Sequence, residues 1–251
     1  MSEKRRKQWI PLESNPEVIT KYINSLGFPT TLYSLTDVLS WEEWAIDMLP
    51  QPVLALFLLY PISDRSRTAR QERVSLCEAE NREISQNLYY MKQTVGNACG
   101  TIAAIHAIAN SLNSELLSQR IILAEGSFLQ RFLDRTWNLT PEERGRLLEE
   151  GEDLESDIES EHQRAAAEGQ SRVPGHNERV DLHFIAIVPK DGYIYELDGR
   201  AGIPINHGRY SAPQKFAKEA CLKVIKEGFM DVDPEELRFN ILALASAENS
   251  F

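Results

Sequence analysis

Gln93 stands six residues before Cys99 in Lys92-Gln93-Thr94-Val95-Gly96-Asn97-Ala98-Cys99-Gly100-Thr101, and the chain later supplies His183 and, fifteen residues on, Asp198. A thiol can attack a carbonyl carbon, and an imidazole can move its proton. A carboxylate can orient that imidazole, and an amide NH2 can hold the oxyanion that develops. Together these are the parts of a cysteine hydrolase. Singly, each has a plainer use: Cys99 as a small buried hydrophobe, His183 as a satisfied core histidine, Asp198 as a strand-end turn residue and Gln93 as a surface side chain.

The elements that must position them can be read nearby. Thr101-Ile102-Ala103-Ala104-Ile105-His106-Ala107-Ile108-Ala109 is apolar nearly all round, which predicts a buried central helix. Asn97 is a good N-cap, placing Ala98 at the first helical position and Cys99 at the second. A thiol in that turn meets the positive end of the helix dipole and free backbone N–H groups, which can lower its pKa to ~3.5–7.5. The Cys99 amide and the Gln93 side chain are the two candidate donors to an oxyanion, each worth ~2.7–4 kcal/mol.

His183 lies in Leu182-His183-Phe184-Ile185-Ala186-Ile187-Val188, a strand apolar on both faces, where an unpaired polar group costs ~1–3 kcal/mol. Pro189-Lys190-Asp191-Gly192 signals a turn to the next strand. With Lys190-Asp191 as the loop, His183 sits directly across from Asp198. With Asp191-Gly192, His183 faces Arg200 and Asp198 is its diagonal neighbour on the same face. The two separations are ~4.5–5.5 Å and ~7–8 Å. A three-residue, bulged loop would put the pair on opposite faces.

Asn15-Pro16 opens a helix running to Gly27, Val53–Tyr60 reads as a buried strand, and helices are predicted at Arg65–Ser85, Ala98–Asn110, Ser127–Thr136 and Pro141–Glu150. The last carries a Thr140/Glu143 capping box. From Gly151 to Arg179 no period is legible, so an irregular lid or disordered segment is expected. Strands follow at Asp181–Val188, Tyr193–Leu197 and Ile203–Ile205, then a helix at Ala212–Glu227 and a strand at Leu237–Ala245. Helices mostly first and strands mostly last point to an α+β fold with a largely antiparallel sheet.

The net charge of −11 argues against nucleic acid and anionic membranes as partners and fits a basic macromolecule. Residues 142–161, with ten acidic and two basic side chains, carry −8 of it. Three cysteines without C-x-x-C spacing fit neither a disulfide framework nor a zinc site, and point to a reducing compartment: the cytoplasm, with the nucleus as an alternative. The head Met1–Lys7 has no apolar run behind it and does not read as a secretory signal, and the longest apolar run, Val53–Tyr60, is short of a membrane span. The Asn138-Leu139-Thr140 sequon is read as chance.

The segments Gln93–Thr101, Ile105–Asn110, Val180–Phe184 and Tyr195–Arg200 closely resemble the ubiquitin carboxyl-terminal hydrolases, papain-like cysteine proteases, and most closely their short, single-domain branch. The resemblance runs from Trp9 to Asn240. It implies one catalytic domain over residues 1–251, a six-stranded, mainly antiparallel sheet flanked by helices, and a knotted chain path. It implies Cys99 as nucleophile, His183 as general base and acid, Asp198 as its orienter and Gln93 as oxyanion donor. It equates residues 152–179 with the family's active-site crossover loop. Glu13, Glu17, Asp37 and Glu236, with Leu182 beside the histidine, become candidate contacts to ubiquitin's basic surface. His106, His207, Cys77 and Cys221 are given packing roles. The head Met1–Lys7, the stretch Ser111–Glu125 and the tail Ala247–Phe251 depart from the family pattern.

The expected reaction is hydrolysis after the C-terminal glycine of ubiquitin, or of a close ubiquitin-like modifier, releasing small adducts or short peptides through a thioester. A monomer needing no metal or cofactor is expected. The alternative is a ubiquitin-binding module that stabilises free ubiquitin with little turnover.

Overall fold

Six strands, β1 (Tyr33–Asp37), β2 (Val53–Pro61), β3 (Leu182–Lys190), β4 (Tyr193–Leu197), β5 (Ile205–Arg209) and β6 (Asn240–Ser246), form one sheet in the order β1-β6-β2-β3-β4-β5. Every pairing is antiparallel. The computed structural model describes residues 7–170 and 180–247, without the side chains of residues 152–156. The α+β class and the six-stranded antiparallel sheet are as expected from the sequence.

The helices are α1 (Pro16–Ser25), α2 (Glu43–Asp47), α3 (Asp64–Ala79), α4 (Cys99–Ser111), α5 (Phe128–Thr136), α6 (Pro141–Glu150) and α7 (Glu152–Glu168). A 3-10 turn at Pro213–Lys215 then leads into α8 (Phe216–Glu219), which widens to π-helical pitch over Ala220–Met230. Several starts are written in the side chains. Asn15 Oδ1 accepts from the Glu17 and Val18 amides at 3.0 and 3.3 Å, with Pro16 at the first position. Ser63/Ser66 and Thr140/Glu143 close reciprocal capping boxes on α3 and α6.

β2 and β3 are covered on both faces, which is why they read as unbroken apolar runs. Leu54, Phe57, Phe184, Ala186 and Val188 pack with α1, α4 and α5. Leu56, Leu58, Ile185 and Ile187 pack with the Phe216, Val224, Ile225 and Phe229 side. Each fully buried large side chain is worth ~1.5–3 kcal/mol, so these strands and α4, buried along its whole length, form a rigid floor for the site.

Three expectations need correction. Asn97 does not cap α4: it sits at φ 59° and its Nδ2 donates to Trp9 O at 3.1 Å, so the helix begins at Cys99 itself. An arm from Lys7 lies against Gly96 and Asn97, with Trp9 N donating to Gly96 O and Gly96 N to Lys7 O, both at 2.9 Å. The turn at Asn97 serves that arm and not the helix.

The second correction concerns residues 152–168 of the expected irregular segment, which form α7. Ile158, His162, Ala165 and Ala166 are buried at spacings of four, three and one, a helical stripe thinned by small and polar residues. Residues 171–179 of the expected crossover segment lie outside the described residues, as do residues 1–6 of the basic head and 248–251 of the tail. The third is that the late strands start further on, at Ile205 and Asn240. Leu237 stays 86% exposed, ahead of the sheet.

Candidate active site

Cys99 is the first residue of α4, so its N–H has no intrahelical acceptor and its side chain sits at the positive end of the helix. Cys99 is 6% exposed. Burial alone would raise its pKa, yet His183, the Phe184 backbone and Arg200 outweigh burial and hold it below the ordinary thiol value. α4 packs on β3, which is how a helix start and a strand start meet in one place.

The β3–β4 turn uses Asp191-Gly192, with Lys190 opposite Tyr193 and positive φ of 50° and 79° at the two loop residues. Those are type I′ requirements, and Asp-Gly satisfies them. The register makes Ala186 face Leu197, so continuing it puts His183 opposite Arg200 with Asp198 on the diagonal. The diagonal is closed by the side chains. His183 Nε2 lies 2.7 Å from Asp198 Oδ1, which also accepts from Arg200 N at 2.8 Å.

His183 is buried, with the Tyr60 ring edge-on at 5.9 Å. Burial would lower its pKa, but Asp198 first and Cys99 next raise it to about 9. Burial would raise Asp198, but His183, the Arg200 amide and Arg70 bring it to about 2. Nε2 is taken by Asp198, and Nδ1 is buried with no hydrogen-bond partner. Nδ1 is therefore the nitrogen left to serve the thiol, and hydrogen bonding and charge between Cys99 and His183 both contribute to the two shifts.

Gln93 is held to the Asp198 turn by its backbone, Gln93 N donating to Gly199 O at 2.8 Å. One hydrogen of its side-chain NH2 goes to Val95 O at 2.9 Å, which leaves the other free to donate. Gly199 has to be glycine here, because a Cβ would lie 2.7 Å from Ile102 Cγ2 and 3.0 Å from Gln93 Cβ. The Tyr90 hydroxyl fixes the same turn, 2.8 Å from Asp198 O and 2.7 Å from Ala201 O.

Behind the carboxylate lies a charge network that sequence reasoning missed. Arg73 grips buried Glu196 through Nε at 3.1 Å and Nη2 at 3.3 Å, and His207 Nε2 adds a contact at 3.0 Å. Arg70 Nε stands 3.7 Å from Asp198 Oδ2 and 3.8 Å from Glu196 Oε1. Burial would raise Glu196, but Arg73 and then His207 hold it down at about 2. His207, given only packing, is thus a partner of this second carboxylate. The available signal was the pair Arg70 and Arg73, one turn apart on α3, set against Glu196 on β4 and Asp198 just after it.

His162 was also missed. The contacts order one chain: Tyr22 O–H to Thr101 Oγ1 at 2.7 Å, Thr101 O–H to His162 Nδ1 at 2.7 Å, and His162 Nε2–H to Ile10 O at 2.6 Å. It ties α7 and the N-terminal arm to α4 two residues past the thiol.

The candidate contact residues scatter more widely. Glu17 and Asp37 come together, lining one groove between α1 and β1 with exposed Leu39. Glu13 lies against Gly169 at the end of α7. Glu236 is bound by Arg238, which also pairs with Asp181 at 2.9 Å, and Leu182 opens β3 opposite Pro61.

Residues 9–230 match the family model described as ubiquitin carboxyl-terminal hydrolase, family 1. A ubiquitin carboxyl-terminal hydrolase of Drosophila melanogaster is 44% identical over 240 residues, 96% of this chain and 98% of that protein. The Homo sapiens isozyme L1 is 37% identical over 237 residues, covering 94% and 98%. In fold, the chain is similar to the Trichinella spiralis UCH37 catalytic domain solved with ubiquitin vinyl methyl ester, at TM-score 0.70, 23% identity and 96% coverage of each.

Proposed function

Because the chain belongs to ubiquitin carboxyl-terminal hydrolase family 1, we propose that it hydrolyses the bond after the C-terminal glycine of ubiquitin, and secondarily of a close ubiquitin-like modifier. Membership makes it a thiol-dependent ubiquitin hydrolase. The observation that carries the reading is the His183–Asp198 contact at 2.7 Å beside a thiol at the start of α4.

In the proposed mechanism, Cys99 is a thiolate and His183 an imidazolium before substrate arrives, consistent with the downward shift of one and the upward shift of the other. Cys99 Sγ attacks the glycine carbonyl carbon, the S–C bond forms, and the carbonyl electron pair moves onto oxygen. The Cys99 N–H and the free Gln93 N–H hold that oxyanion. It collapses with cleavage of the C–N bond, and the leaving nitrogen takes the proton from His183. Water then attacks the thioester and gives a proton to His183. The C–S bond breaks and restores the thiolate beside the imidazolium, and ubiquitin leaves as a carboxylic acid that gives its remaining proton to solvent.

Adducts of amino-acid or short-peptide size are the proposed substrates, in keeping with a depression of about 640 Å3 lined by Ile62, Val180 and Arg200, the last bound through its amide to Asp198. Ubiquitin is proposed to lie along α1 and β1, where Glu17 and Asp37 offer negative charge to a basic surface.

Ubiquitin carrying a C-terminal electrophile tests the reading. It should form a one-to-one adduct whose mass maps to Cys99, and Cys99→Ala should form none. Binding without adduct would favour the alternative, a module that holds free ubiquitin.

A further inference from the structure

The depression that includes Arg200, whose amide binds Asp198, lies between the ends of three strands. Ser63 and Asp64 follow β2, Asp181 precedes β3, and Arg200 follows β4. In the sheet order β1-β6-β2-β3-β4-β5, the Glu17/Asp37 groove is at one end, and β4 and Arg200 lie past His183 toward the other. A modifier resting on α1 and β1 brings its tail to His183 from the first side. The depression spans the start of β3, with Ser63 and Asp64 on the near side and Arg200 on the far side, where the leaving group is delivered.

The charges there are unequal. Asp64 is neutralised by Arg67 at 2.8 Å, and Asp181 by Arg238 at 2.9 Å, itself held by Glu236 at 2.8 Å. The Arg200 backbone is fixed by its N–H to Asp198 Oδ1 at 2.8 Å. Its exposed guanidinium has no ion pair or hydrogen bond among the described residues, yet its charge reaches the Cys99 thiol. In a chain of net charge −11, the charge on this depression that has no partner among the described residues is a cation whose field is felt at the nucleophile. Cationic character suits a ligand carboxylate, and the planar guanidinium suits its two oxygens.

We propose that Arg200 is a specificity-determining residue that receives the carboxylate of the leaving group, so that amino acids joined to ubiquitin through their α-amine are preferred over neutral amines. The chemistry is that of the reaction above: the acyl C–N bond breaks and the amine leaves with the His183 proton. The inference rests on the proposed function and goes further by naming the leaving group's chemical class.

The test compares kcat/KM for ubiquitin–glycine and ubiquitin–glycinamide, two adducts that differ by one charge, in the wild type, Arg200→Gln and Arg200→Lys. Free ubiquitin is followed by intact mass. Taking the carboxylate-to-amide ratio in each enzyme and then comparing enzymes cancels the amines' unequal basicity and any change in thiol reactivity. Arg200→Gln should lower that ratio about five- to tenfold, the effect of one partly exposed charge-assisted contact, and high salt should shrink the difference. Arg200→Lys should retain part of it. A ratio unchanged within about twofold in Arg200→Gln overturns the inference and leaves the proposed function standing. Failure of the wild type to cleave either adduct overturns both.

Discussion

His183 turns Nε2 to Asp198 Oδ1 at 2.7 Å, and this one contact decides which nitrogen faces the thiol. It fixes the tautomer, charges the imidazole and leaves Nδ1 for Cys99.

The pH profile follows from the two shifts. Cys99 is depressed and His183 is raised to about 9, so the ion pair exists between them. Activity on a ubiquitin amide should reach a plateau at neutral pH and fall as His183 loses its proton near pH 9. Asp198→Asn removes the largest upward influence on His183. It should cut kcat about 10²–10⁴-fold and move the basic limb to lower pH. An unmoved limb would show that Asp198 does not charge the imidazole.

Thiol labelling should be equally selective. Cys221 is buried and its thiol is pushed up to about 12, whereas Cys99 is pulled down by His183 and its other neighbours despite burial. Brief iodoacetamide treatment at neutral pH, followed by peptide mapping, should modify Cys99 alone. Early labelling of Cys77 or Cys221 at a comparable rate would contradict the assignment.

Cys99, His183 and Asp198 were legible as candidates from an all-apolar helix, a two-faced apolar strand and a turn signal taken together, and Gln93 only through its place in the joint pattern six residues before Cys99. The hairpin register stayed open among three loops until Lys190 was seen opposite Tyr193. β1 was missed because only Leu35 among its residues is buried, and α2 because five residues are too few to show a period. α7 was hidden because its buried face includes a histidine and two alanines, which carry little hydrophobic signal. The spacing of Arg70 and Arg73 was legible on α3, but their pairing with Glu196 was not, because it depends on which strand α3 crosses.

Acid stability should expose His162. Burial pushes its pKa down to about 4 from an ordinary value near 6.5, and the neutral ring is the form its hydrogen bonds use. The unfolded chain binds the proton first, so this contribution is complete above pH 6.5 and is lost as pH falls toward 4. It amounts to about 3 kcal/mol. Urea unfolding at pH 7 and pH 4.5 should show a larger loss in the wild type than in His162→Gln, which has no imidazole to charge. Equal losses would mean the ring is not held neutral.

Neutralising Glu17→Gln and Asp37→Asn together should raise KM for a ubiquitin substrate several-fold and leave kcat within about twofold, because both face the α1–β1 groove away from the reacting atoms. The wild-type KM should rise with salt, and the double variant's should rise less. A KM indifferent to both changes would move the modifier's docking surface elsewhere.

The most direct measurement is turnover of ubiquitin carrying a fluorogenic amide at its C-terminus, by the wild type and by Cys99→Ala, with no metal or cofactor added. The wild type should release the fluorophore over many cycles. Cys99→Ala should still bind ubiquitin and be slower by at least about 10⁴-fold. Turnover that survives the loss of Cys99, or a wild type that binds ubiquitin and never releases the amide, would contradict the account.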